Sequence, residues 1–134
     1  MLMNPEQSVL LIIDVQTRLA PAIHESARVV ESCIWLAGVA ERLEVPIVVT
    51  EHFPEKIGET LPTLRSAMTT AQYVRKEFFS AATDGCLAAT AVADRQQVVI
   101  CGTEAHVCVL QTALGLHAQG KRVFVVTEAS GSRD

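Results

Sequence analysis

Four short apolar runs, each cut off by a polar or glycine residue and separated by longer stretches of helical period, limit how this chain can fold. Residues 9–13 are apolar at every position and stop at Asp14. Residues 45–50 stop at Glu51 and His52, residues 98–101 at Gly102, and residues 123–127 at Glu128. A weaker run, 72–76, is short and half polar. Runs without alternation suit strands covered on both faces. Between them, 26–43 carries apolar residues at close to a 3.6-residue repeat, with Ser26 as the expected N-cap and Trp35 as a core residue. Thr83 and Asp84 can cap a helix reaching Asp94, and 105–119 is amphipathic with Gly120 placed as a C′ glycine. Residues 54–62 read as a loop. Strands alternating with helices predict an α/β chain with a parallel, Rossmann-like sheet and right-handed crossovers. Ligands bind such sheets beyond the carboxyl ends of the strands.

The 134 residues predict one domain, at roughly 150 residues per domain. Apolar residues make up 49% and charged residues 19%, enough for a core and against disorder. A formal net charge of −4 and a pI near 5.5 argue against a nucleic-acid partner or an anionic membrane surface. No apolar run reaches the ~18 residues of a membrane span, and the first residues lack a signal-peptide pattern. The expectation is a soluble, cytoplasmic protein.

Four cysteines stand at 33, 86, 101 and 108 without a C-x-x-C pair, so reduced and mostly buried thiols are expected. Cys33 and Cys86 fall in expected helices and Cys101 in an expected strand. Cys108 differs in its setting: 102–109 is a strand end, a glycine turn and a helix start. Helix amides there favour a thiolate and could bind an oxyanion; the plainer alternative is a buried core cysteine. Asp14, straight after a buried run, is either a turn or cap residue or a base with a tuned pKa. Lys76, by composition, reads as a surface lysine. His24, His52, His106 and His117 have no metal-ligand spacing, and Glu51 with His52 lies at a strand end that could line a pocket. No metal and no cofactor are expected.

Together, residues 11–16, 76–80 and 102–109 (Gly-Thr-Glu-Ala-His-Val-Cys-Val) resemble the isochorismatase-like cysteine hydrolase superfamily, in order and spacing, across nearly the whole chain. Residues 50–54 and the last motif are most similar to the isochorismatase-domain-containing branch. The resemblance implies a three-layer α/β/α fold and a catalytic triad of Asp14, Lys76 and Cys108. It also implies a cis peptide bond between Thr103 and Glu104 beside an oxyanion hole formed by the amides of Glu104 and Cys108. Pocket walls are expected from Gln16, Glu51, Phe53, Phe79 and His106. About five strands of the family sheet are present, and the resemblance implies that 1–134 is one domain ending a strand and some helix short of its relatives.

The activity so implied is thioester-forming hydrolysis of a small molecule, an amide-like C–N bond above all, by a homo-oligomeric enzyme. The Asp and His cluster of nicotinamidases is not visible after the second strand, which argues against nicotinamide. The cysteine argues against vinyl-ether hydrolysis, since ordinary isochorismatases lack it. Two other readings stay open: a scaffold that has lost turnover, and a redox sensor built on Cys108.

Overall fold

The computed structural model describes residues 2–133. Its centre is β1 (Ser8–Ile13), where all six residues are buried. Alternate side chains serve two cores. Leu10 and Ile12 face one cluster with Val49, while Val9, Leu11 and Ile13 face the other with Val48. The chain continues through α1 (Ser26–Arg42), β2 (Ile47–His52), the single turns α2 (Pro54–Ile57) and α3 (Pro62–Arg65), and β3 (Gln72–Lys76). Then come α4 (Ala81–Asp84), α5 (Ala91–Asp94), β4 (Gln97–Thr103), a π-helical turn (Ala105–Val109), α6 (Leu110–Ala118) and β5 (Arg122–Gly131).

All strand pairs are parallel, in the order β3-β2-β1-β4-β5. One face packs against Val29, Cys33, Ala37 and Ala40 of α1 and Leu64 of α3. The other packs against Ala81, Val92, Val109 and Leu116, from α4, α5, the π turn and α6. The result is the expected three-layer α/β/α fold. The direction in which strands are added reverses between β1 and β4, the switch point where such sheets open a crevice.

Several local expectations change. Residues 83–94 do not form one helix: α4 ends at Gly85 (φ 84°), and α5 restarts under a Thr90 side-chain cap. Cys86 therefore lies in a turn rather than a helix. Ser80, not Thr83, caps α4. Glu25, in the left-handed region at φ 51°, is the N-cap of α1, and Ser26 is its first helical residue. Trp35 is 68% exposed. It lies about 200° around the helix from the buried Cys33, at ~100° per residue, and so faces outward. A helical turn, α2, interrupts the expected loop at 54–62. Among the described residues no helix is long and apolar enough to cross a membrane.

The close approach of β4 to β1 depends on Gly102. Its φ is 122°, and a Cβ there would collide with the carbonyl of Ile13. Gly102→Ala is expected to cost at least about 2 kcal/mol, combining left-handed strain with that clash. A urea-denaturation midpoint equal to that of the unaltered protein would disprove the requirement.

Candidate active site

Three strand ends meet at the carboxyl edge of the sheet. Asp14 follows β1, Lys76 is the last residue of β3, and Cys108 lies in the turn after β4. Lys76 Nζ is 2.9 Å from Asp14 Oδ2 and donates to Cys108 Sγ at 3.4 Å. The lysine and aspartate side chains are 0% and 1% exposed. Burying such charges costs several kcal/mol each unless they are paired and hydrogen-bonded. Both conditions hold, and so the lysine that composition reads as a surface residue is buried.

Asp14 is held from three directions. Its backbone takes the left-handed conformation, φ 51°, which is uncommon outside glycine and most tolerated by Asn and Asp. Its N–H donates to the Thr50 carbonyl at 3.2 Å, and its own carbonyl accepts from Thr103 Oγ1 at 2.7 Å. Thr50 Oγ1 donates to Oδ1 at 2.7 Å. Oδ2 faces Lys76 and accepts no other hydrogen bond among the described residues. One carboxylate oxygen is thus anchored, and the other is directed at the ammonium.

Lys76 also donates to the carbonyls of Phe78 (3.0 Å) and Phe79 (3.3 Å) and lies 3.1 Å from His52 Nδ1. The segment bearing those carbonyls is fixed by Asp84, whose Oδ2 accepts from the amides of Glu77 (2.7 Å) and Phe78 (2.9 Å). Read from the sequence as a helix cap, Asp84 instead holds the loop that grips the lysine.

Cys108 is buried, and burial is the first cause raising its thiol to about 12; Asp14 raises it further, and Lys76 opposes both. Burial and the neighbouring carboxylate thus work against the thiolate that the helix amides were expected to favour. The peptide bond between Thr103 and Glu104 is cis. The amides of Val107 and Val109 both donate to the Glu104 carbonyl at 3.1 Å, leaving the Cys108 amide outside that pairing.

The expected pocket residues divide. Phe53 and Phe79 flank the His52 ring, with centroids at 5.0 Å edge-on and 5.8 Å tilted. Gln16 is fully buried, and its amide bridges the backbone of His52 and Gly58. The Glu51 carboxylate accepts from the amide and hydroxyl of Thr60 (2.7 and 2.8 Å) and pairs with Arg65 at 3.4 Å. Both brace the 58–60 segment. His106 is exposed, with Nδ1 2.7 Å from Ser132 Oγ, and Glu104 pairs with Arg133 at 3.2 Å. His52, expected only as a residue that could line a pocket at a strand end, and Thr50, which was not singled out, touch the central ion pair. The available signal was positional, because a parallel neighbour strand ending at His52 sets it beside Lys76.

Other features lie apart from this cluster. An apolar cavity of about 310 Å³, lined by Met3, Leu36, Val39 and Leu43 among others, lies at the opposite, amino end of the strands. Among the described residues no group of three or more His, Cys, Asp or Glu side chains could hold a metal.

Residues 8–134 match the family model described as Isochorismatase domain. Isochorismatase domain-containing protein 2A of Mus musculus is 36% identical over 132 residues, covering 96% of this chain and 62% of its own length. Isochorismatase domain-containing protein 2 of Danio rerio is 32% identical, covering 98% of this chain and 66% of its own length. The chain thus spans just under two thirds of these curated relatives. Among solved structures, the MAR1 ribonuclease of Caenorhabditis elegans superposes with a TM-score of 0.89 at 34% identity, covering 98% of this chain and 68% of that one. The YcaC gene product of Escherichia coli, described as an octameric hydrolase of unknown specificity, gives 0.87 at 25% identity, with 98% and 67% covered.

Proposed function

Because the chain belongs to the isochorismatase domain family, we propose that it is a hydrolase that cleaves a small amide-like C–N bond through a thioester on Cys108. One observation carries this reading: an aspartate, a lysine and a cysteine from three strand ends converge, with Lys76 Nζ 2.9 Å from Asp14 and 3.4 Å from the sulfur. Nucleophilic cysteines need a neighbouring base, and the base needs a partner that holds it in place.

The resting thiol loses its proton to Asp14 Oδ2 as the sulfur attacks the carbonyl carbon. A C–S bond forms, and the carbonyl electron pair moves to oxygen, where the amides of Glu104 and Cys108 donate to it. Collapse breaks the C–N bond, and protonated Asp14 returns its proton to the leaving amine. Water, with Asp14 again as base, cleaves the thioester to a carboxylic acid and the thiol. Throughout, Lys76 offsets the negative charge as it passes between Asp14 and the sulfur. The ion pair is neutral in sum, as it must be to remain buried between turnovers.

A small-molecule substrate suits this chain better than RNA, since the net charge of −4 works against a polyanion. The octameric state named for YcaC supports a homo-oligomer here as well.

The test uses p-nitrophenyl acetate as an activated acyl donor. The expected result is a burst of p-nitrophenolate and a transient acetyl group that peptide mass spectrometry locates on Cys108. Acetylation at lysines alone, with Cys108 unmodified, would reject the reading.

A further inference from the structure

Lys76 is the centre of the cluster, and its ammonium has three protons to give. Five atoms lie within reach: Asp14 Oδ2, His52 Nδ1, the carbonyls of Phe78 and Phe79, and Cys108 Sγ, at 2.9 to 3.4 Å. Which of them take the protons decides where the charge points. An ammonium has no lone pair, so His52 Nδ1 at 3.1 Å must accept from it. That fixes the tautomer, with the ring proton on Nε2.

The imidazole is held firmly enough to do this. β2 and β3 pair in a register that sets His52 opposite Lys76. The His52 N–H donates to Gln16 Oε1 at 2.8 Å, and its carbonyl accepts from Gln16 Nε2 at 3.0 Å. Gln16 Nε2 in turn donates to the Gly58 carbonyl at 2.7 Å, and Phe53 and Phe79 flank the ring.

We infer that His52 is a positioning residue: by accepting one Lys76 proton while the Phe78 carbonyl accepts another, it reserves the third for the space between Asp14 Oδ2 and Cys108 Sγ. The inference rests on the hydrolase reading for its catalytic meaning, but not for its geometry. A protonated His52 could not accept and would set a second cation against Lys76. Burial first, and then Lys76, lower its proton affinity; Arg75 acts in the same direction, and Asp14 and Asp84 act against it. The net direction favours the neutral ring that accepting from Lys76 requires.

His52→Leu removes the acceptor, whereas Asn offers Oδ1 close to the position of Nδ1. With p-nitrophenyl acetate, His52→Leu is expected to acylate about 10²-fold more slowly, the scale of a misplaced catalytic group. His52→Asn should stay near the unaltered rate and lack the fall at acid pH that protonation of the histidine causes. A second readout needs no turnover. Iodoacetamide should alkylate Cys108 more slowly in His52→Leu than in the unaltered protein or in His52→Asn, because Lys76 is no longer held against the sulfur. His52→Ala serves if the leucine variant melts early. If no variant or unaltered protein accepts an acetyl group, the hydrolase reading fails, and the alkylation series still decides the role of His52. Leu or Ala variants alkylating as fast as the unaltered protein would overturn the inference, as would an Asn variant as slow as Leu.

Discussion

Asp14→Asn is expected to lose about 10²–10⁴-fold in acylation rate while its Cys108 becomes easier to ionise. The two effects run in opposite directions because the carboxylate has two roles. It is the proposed base, and it is also a charge that raises the thiol towards about 12. Asparagine removes both, and Lys76 then lowers the thiol against burial alone. Alkylation by iodoacetamide follows the thiolate fraction, so its pH profile should move to lower pH in the variant. At neutral pH the asparagine variant should react faster with iodoacetamide and far more slowly with p-nitrophenyl acetate. Parallel losses in both reactions would mean that Asp14 only shapes the site, and the proposed proton transfer would be wrong.

Lys76→Met should be the most destabilising single change in the site, by about 3–5 kcal/mol, the usual cost of leaving one member of a buried ion pair. Methionine fills much of the lysine stem's volume, so the cost comes from the charge that remains. Asp14 would keep its Thr50 hydrogen bond but lose its cation at 1% exposure. The sign of the pH dependence follows. Without the cation, burial raises the carboxyl's folded-state pKa above its unfolded value, so the folded variant binds a proton more readily. Its stability deficit should shrink as pH falls and grow as pH rises. Adding Asp14→Asn to Lys76→Met should recover most of the lost stability and none of the activity. Urea midpoints across pH would check this, and a single variant as stable as the unaltered protein would refute it.

The layers of the fold could be read from the sequence because strands covered on both faces must be apolar at every position, as 9–13 and 98–101 are. Boundaries were harder where side chains outside the segment decide them. β2 begins after Pro46 and runs on to His52 because β3 pairs with it that far, and that extension sets the imidazole beside Lys76. Residues 83–94 carry good helix formers, yet Gly85 in the left-handed region and the Thr90 cap divide them. Trp35 shows the limit of counting apolar positions, since a wide stripe does not say which edge faces water. Asp14, Lys76 and Cys108 could be grouped through a family resemblance. The burial of Lys76 could not be read from composition, because it depends on a carboxylate, an imidazole and two carbonyls contributed by distant segments. The elevated thiol of Cys108 was missed for the same reason.

The strand order has a consequence for how the chain reaches its native state. β3 is separated from β1 by β2, so Asp14 and Lys76 come together only after a strand has been inserted between their own strands. Each parallel pairing needs its own crossover, and non-local pairings of this kind form slowly. Before then the aspartate must stay hydrated, because its end of the apolar strand cannot be sealed without the ammonium. On this strand order the carboxyl edge of the sheet is expected to dry last, with Cys108 enclosed once the first four strands are in register.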